Sequence, residues 1–325
     1  MARSKFLPDN FTLALVATVT LASLLPASGQ VAKFFEGLTV AAVALLFFMH
    51  GAKLSREAVI AGLSHWRLHL VVLATSFVLF PLLGWALRPV LEPLVTPQLY
   101  MGIMFLCVLP ATVQSAIALT ALARGNMPAA ICSASASTLL GILITPVLVG
   151  IFLPQADGAQ QNPLVNIGRI LLQLFVPFVL GHLLRPWIGE FIKRRAGTLK
   201  FVDQGSILLV VYTAFSAAVV QGIWSQIPLP ALAGLVAVVC ILLALVLVTM
   251  TFAARRLGFS KEDEVAIVFC GSMKSLVSGV PMAKVLFASS AVGAIVLPLM
   301  LFHQIQLMVC AVLAQRYARR PQALE

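Results

Sequence analysis

Carboxylates are scarce in this chain of 325 residues, which has only eleven Asp and Glu. Charged residues of both signs make up 10% of it, against roughly 25% in an ordinary soluble domain. The eleven acids (Asp9, Glu36, Glu57, Glu92, Asp157, Glu190, Asp203, Glu262, Asp263, Glu264 and Glu325) fall in loops, termini or the edges of apolar runs. The sequence therefore offers no buried carboxylate pair for acid–base or metal chemistry. Cysteine is sparse as well: Cys107, Cys132, Cys240, Cys270 and Cys310 are odd in number, lie inside apolar stretches and have no CxxC spacing. They read as packing residues, and no metal or cofactor site is expected. The net charge of +11 does not point to nucleic acid, because the basic clusters are short loops between apolar runs and form no one-sided patch.

What the chain has in quantity is apolar length: 61% of it is hydrophobic. Uncharged stretches of 31 residues lie between Glu92 and Arg124, of 32 between Arg124 and Asp157, and of 51 between Asp203 and Arg255, where about 20 residues span hydrocarbon. Apolar runs bounded by charges and Pro/Gly turns predict ten crossings, at 11–28, 34–52, 67–88, 98–124, 127–153, 164–186, 202–222, 230–254, 263–288 and 290–316. The stretch from Phe11 to Leu25 followed by "PASGQ" has the outline of a secretory leader, and is read as a retained first crossing. With the N-terminus inside, seventeen of the 22 Lys and Arg fall on the inner side. Lys33, Arg88, Arg169 and Lys284 fall outside, and Lys274 is left within the membrane. The expectation is an all-α polytopic protein of the plasma membrane (a bacterial inner membrane), both termini cytoplasmic.

The polar segment "LPQADGAQQNP" (153–163) divides the chain into a first five-helix repeat (1–155) and a second (163–318), with a cytoplasmic tail at 319–325. Five is odd, so the second set runs inverted relative to the first, as in inverted-repeat transporters. The fourth crossing of each half is irregular. The fourth crossing holds Pro110 mid-run and then "PATVQSAIALT" (110–120), whereas the ninth holds Gly271, Ser272, Lys274, Ser275, Ser278, Gly279 and Pro281. Proline removes a backbone donor and glycine weakens a helix, so Pro110, Gly271, Gly279 and Pro281 are the expected helix-break residues. Interrupted helices at matching places mark a transport site.

Lys274 lies ten residues from both Glu264 and Lys284; at 1.5 Å per residue that is about 15 Å, the middle of a hydrocarbon core about 30 Å thick. An ammonium there costs at least roughly 2.5–3.5 kcal/mol unless it faces water or a partner, so it points into the protein. With no acid in its layer, three kinds of partner remain: backbone carbonyls of the broken helix, hydroxyls and amides, or an anionic solute. Thr112, Gln114, Ser115 and Thr120 follow the first break, and "CSASAST" (132–138) carries Ser133 and Ser135 on the fifth crossing. These, with Ser272, Ser275 and Ser278, are the candidate solute- or ion-binding residues, though Ser and Thr also bond back to their own helix and small residues serve close packing. His50, His182, His303, Gln304 and Gln306 are further intramembrane polar residues, read first as interhelical hydrogen-bonding groups.

The segments "FFMHGAKLSREA" (47–58), "HWRLHLVVLATSFVLFPLLG" (65–84), "LPATVQSAIALTALARGN" (109–126), "LFVPFVLGHLLRPW" (174–187), "VDQGSILLVVYTAFS" (202–216) and "FCGSMKSLVSGVPM" (269–282) resemble the SBF-like branch of the bile acid:sodium symporter superfamily, and the likeness runs nearly the whole chain. The resemblance implies two inverted five-helix repeats. The first, second, sixth and seventh crossings would form a panel, the rest a core, with the broken fourth and ninth crossing at the centre. It also implies alternating access to a site beside that crossing. Sodium-coupled members carry a carboxylate and amides at the ninth-crossing break, with hydroxyl and Asn ligands in the fourth and fifth. Here the break offers Phe269, Cys270, Ser272, Met273 and Lys274, and Ser115 is followed by Ala116 where Asn is expected. Lys274 would repel a cation that needs oxygen ligands, so its ammonium is read as replacing a bound sodium ion, with transport uncoupled or proton-coupled. The expected function is secondary transport, not enzymatic, of a small organic and anionic solute, with sodium or protons as the candidate coupling ions. A regulatory or scaffold membrane protein is the alternative, and a membrane-embedded enzyme a more distant one.

Overall fold

The computed structural model describes residues 10–53, 65–153, 163–220, 222 and 227–320. Most of the polar divider (154–162), the tail residues 321–325, and Asp9, Glu57, Asp157 and Glu325 lie outside the described residues. Regular structure among the described residues is helical: α1 (Asn10–Leu24), α2 (Gly29–Lys53), α3 (Trp66–Ala86), α4 (Pro97–Val108), α5 (Gln114–Leu122), α6 (Met127–Phe152), α7 (Pro163–Arg194), α8 (Ala196–Val220), α9 (Leu229–Arg256), α10 (Lys261–Ser272), α11 (Leu276–Leu286) and α12 (Ser289–Ala318). The all-α membrane expectation holds in this form: α2, α3, α6, α8, α9 and α12 are long and apolar enough to cross a bilayer. By contrast α4, α5, α10 and α11 have 12, 9, 12 and 11 residues, each under about 20 Å and too short to span alone.

Helix starts follow local chemistry. Thr96, Asn126, Ser260 and Ser275 each accept a hydrogen bond from the backbone N–H three residues on, capping α4, α6, α10 and α11. The acids Glu262, Asp263 and Glu264 occupy the first turn of α10, where they complement the helix dipole. Within α3, Thr75–Leu79 widens into a π turn.

Two groups of helices pack separately and then against each other. In one, α1 and α2 pack on α8, and α2 packs on α7. Its tightest crossing is backbone on backbone. A Cβ added to Gly51 of α2 would fall 1.9 Å from the Phe178 carbonyl oxygen, and one added to Gly181 of α7 would fall 1.9 Å from that of Phe48. Only glycine admits that approach. The second group joins α9 to α10 and α12, α10 to α3, α5 and α6, and α4 to α12. Contacts between the groups run through α8 against α11 and α12 and α7 against α6.

Two acids assigned to edges are buried, which corrects the expectation that buried carboxylates are absent. Arg195 alone separates α7 from α8, so α8 begins before its apolar run and carries Asp203, 7% exposed, inside the helix against Lys53 of α2. Glu264, 1% exposed, accepts from Lys261 Nζ (2.6 Å), Tyr317 Oη (2.9 Å) and Arg255 (3.2 Å), tying the ends of α9, α10 and α12. Neither is isolated, consistent with the rule that buried charge is paired.

Candidate functional site

The two interruptions meet. Leu109 precedes Pro110, and the clash of the proline ring with the preceding residue disfavours helix there; Leu109 is extended (φ −76°, ψ 153°) and α4 stops at Val108. In the second interruption Met273 (φ −93°, ψ 139°) and Ser275 (φ −86°, ψ 110°) are extended. The strands thus freed form an antiparallel bridge between Ala111 and Lys274, with Ser275 N–H donating to Pro110 O at 3.1 Å. Remaining backbone groups at the crossing are met by side chains. Ser137 Oγ accepts from Ala111 N–H (2.9 Å) and Thr145 Oγ1 donates to Val108 O (2.8 Å). Gln306 of α12 grips Lys274 at both ends of its peptide, accepting from N–H at 2.8 Å and donating to C=O at 2.9 Å. His303 Nδ1 lies 2.9 Å from Gln306 Nε2. Bare backbone at membrane depth is tolerated on these terms, because every group must find a partner inside the protein.

The Lys274 side chain is fully buried. Its Nζ donates to three backbone carbonyls: Ser76 O (3.0 Å), Cys107 O (3.1 Å) and Leu109 O (2.6 Å). The Phe80 ring centroid lies 4.0 Å from the same nitrogen, and Phe302 packs edge-on against Phe80. Each acceptor is free for a stated reason. Cys107 and Leu109 end α4, where the last carbonyls lack intrahelical partners and carry the negative end of the dipole. Ser76 lies in the π turn, which shifts the i→i+4 ladder and releases a carbonyl. Three acceptors match the three N–H of an ammonium, and the aromatic face adds a cation–π contact. The Lys274 amine is thus enclosed by three protein oxygens and one aromatic face.

Beside the crossing lies a cavity of about 280 Å³ between the two helix groups. One wall is formed by Phe11, His50, Lys53, Phe178, Lys200, Asp203, Gln204 and Ile207 of α1, α2, α7 and α8. The other includes Thr112, Gln114, Ser115, Ser135, Ser275, Ser278 and His303. Two helix N-termini open onto it: α5, with no side-chain cap, and α11, capped by Ser275. N-terminal N–H groups and the positive dipole ends favour an anion; Lys200 adds positive charge, while that of Lys53 is offset by Asp203.

Of the ten candidate binding residues, six (Thr112, Gln114, Ser115, Ser135, Ser275 and Ser278) line this cavity. Lys274 is sealed behind it. Ser272 bonds back to Val268 O (2.6 Å), Ser133 meets His69 Nδ1 (2.6 Å), and Thr120 is fully buried in α5. Among the expected break residues, Pro110 lies in the first interruption and Gly271 in the last turn of α10. Gly279 and Pro281 lie within α11, because the second interruption falls at Met273–Ser275; at Pro281 the helix loses one amide and continues. Gly279 instead leaves room for Leu109 and Leu299, whose methyl carbons would stand 2.5 and 2.6 Å from an added Cβ. Gln306 and His303 were named by sequence only as interhelical hydrogen-bonding groups, the role they take here; the Ser76 carbonyl and the Lys53, Lys200 and Asp203 wall were not singled out. Glutamine in an otherwise apolar helix was the one signal present for the clamp, and the π turn "TSFVL" carries none.

Against known proteins, the model of the SBF-like CPA transporter family matches residues 9–319. An uncharacterized protein of Pseudomonas aeruginosa is 67% identical over 98% of this chain and 96% of its own length. An Escherichia coli K12 protein named "Putative symporter YfeH" is 59% identical over 98% and 95%. Sodium/bile acid cotransporter 7 of Rattus norvegicus is 30% identical over 84% of this chain and 80% of its own length. With crossed interruptions, a cavity between two helix groups and a match over nearly its whole length, the chain belongs to the SBF-like CPA transporter family, within the bile acid:sodium symporter superfamily.

Proposed function

We propose that this membrane transporter moves an organic anion by alternating access, with the Lys274 ammonium permanently occupying the place of a coupling sodium ion. The observation that carries this reading is the three-carbonyl, one-aromatic cage around Lys274 Nζ at the crossing, immediately behind a cavity onto which two helix N-termini open. A bound cation at the crossing neutralises the α4 C-terminus and holds two broken helices in register; a covalently attached ammonium does both without exchange. Transport is then uncoupled from sodium, and protons are the ion left to drive it. Lys200 and the helix N-termini favour negative charge in the solute, the Lys53–Asp203 pair being balanced, and Phe11, Phe178, Ile207 and Leu307 favour an apolar body.

In the same reading α4 with α5 and α10 with α11 each make one crossing, giving ten in two inverted sets of five with both termini cytoplasmic in a bacterial inner membrane. Support comes from the matching fourth places of the interruptions and from the basic residues gathered on one side. The group containing α1, α2, α7 and α8 moves against the other to expose the cavity alternately. The test is a thermal-shift series on the purified protein with organic carboxylates and sulfates set against quaternary ammonium solutes, followed by uptake of any stabilising solute into vesicles. Stabilisation by anions, with uptake indifferent to a sodium gradient, is the expected result. Stabilisation confined to cationic solutes, or uptake driven by sodium, contradicts it.

A further inference from the structure

Among the described residues, several ion pairs stay within one helix group. Lys53–Asp203 joins α2 to α8, whereas Arg255–Glu264 and Lys261–Glu264 stay with α9 and α10. Lys284–Glu36 is different, because it connects α11 of one group to α2 of the other at 3.2 Å. Its position along both helices is also distinctive. On α2, Glu36 is seventeen residues before the cavity-lining Lys53, about 25 Å along the axis. On α11, Lys284 is six residues beyond the cavity-lining Ser278, about 9 Å. The same two helices therefore flank the cavity at one end and are joined by opposite charges at the other. The pair is asymmetric: the Lys284 side chain is 6% exposed and that of Glu36 is 50% exposed. Removing the carboxylate beside a nearly buried ammonium costs more than losing an exposed pair.

We propose that Glu36 and Lys284 form the gate that closes the far side of the seam between the two helix groups while the cavity is open on the near side. This rests on the alternating-access reading above and adds its closing contact. Any movement that opens the far side must part α2 from α11 and break the pair. The pair sets the resting balance between the two states, and its loss favours the state in which the far side is open. Charge, rather than the identity of either residue, does the work, so exchanging the two residues preserves the gate.

The test is a pair of electron–electron distance measurements in lipid nanodiscs on a Cys240→Ala background. Far-side spin labels are placed at Lys33 and Ala288, and near-side labels at Lys200 and Arg316, all exposed positions. In the parent protein each pair gives one dominant distance. Glu36→Gln and Lys284→Met each raise the fraction with a longer far-side distance about tenfold and shorten the near-side distance in the same fraction. The exchanged variant, Glu36→Lys with Lys284→Glu, returns both distributions to the parent's. Unchanged distances in both single variants overturn the gate and leave the transport reading intact. Far-side opening without near-side closure overturns both, since the two sides would then be uncoupled. If Lys284→Met fails to fold, Glu36→Gln and the exchange carry the comparison alone.

Discussion

Replacing Lys274 by methionine keeps the unbranched stem and removes the three N–H donors. Three charge-assisted hydrogen bonds of about 1.5–3 kcal/mol each and a buried cation–π contact of about 2 kcal/mol are lost, together about 6–11 kcal/mol. Against this, the variant no longer buries an ammonium, an effective cost of several kcal/mol. The carbonyls of Ser76, Cys107 and Leu109 stay buried without their donor. The net loss is about 3–5 kcal/mol, in line with removal of one partner from a buried charged network, and lowers Tm by about 10 °C for a protein of this size. A second variant separates charge from packing. Lys274→Ala leaves a slot whose missing atoms are those of n-propylammonium, so added n-propylammonium restores part of the lost stability, while tetramethylammonium, with no N–H to donate, does not. Tm is read by intrinsic fluorescence in detergent, with each salt at equal ionic strength. Wild-type-like stability of Lys274→Met, or equal rescue by both ammonium ions, refutes the claim that this amine acts as a caged cation.

The clamp is tested by Gln306→Leu, which strips two hydrogen bonds from the Lys274 peptide and costs about 2–3 kcal/mol in thermal or denaturant unfolding. Ser137→Ala removes the acceptor of Ala111 N–H and costs about 1–2 kcal/mol by the same assay. Gly181→Ala forces α2 and α7 apart where its Cβ would meet Phe48 O at 1.9 Å, and lowers the yield of folded, monodisperse protein on size-exclusion chromatography more than Gly205→Ala, where a Cβ meets nothing. Phe80→Leu removes the aromatic face over Nζ and costs about 1–3 kcal/mol, part of it packing.

Much of the site was legible because membranes make polar residues expensive. Lys274 stood out by depth alone, and the lack of a nearby acid left carbonyls, hydroxyls and amides, or an anionic solute as partners, of which the structure supplies carbonyls. Pro110 marked its interruption by a steric rule acting on Leu109. The second interruption was legible only to within a turn, since glycine and proline permit a break without dictating it, and α11 absorbs both Gly279 and Pro281. The Ser76 carbonyl was illegible: a π turn arises from tertiary fit, and "TSFVL" holds neither glycine nor proline. Asp203 was misread because apolar periodicity sets where a helix becomes buried, whereas α8 starts earlier, at Ala196, with Arg195 alone between it and α7. The opposite cavity wall draws on α2 and α8, far apart in sequence, and becomes a wall only when they pack.

The most direct measurement is the thermal stability of the wild-type protein in sodium, potassium and choline chloride at matched ionic strength. A protein that carries its own cation at the crossing unfolds at the same temperature in all three. A rise specific to sodium, growing with its concentration as expected for a ligand bound to the folded state, would contradict the assignment of that place to Lys274.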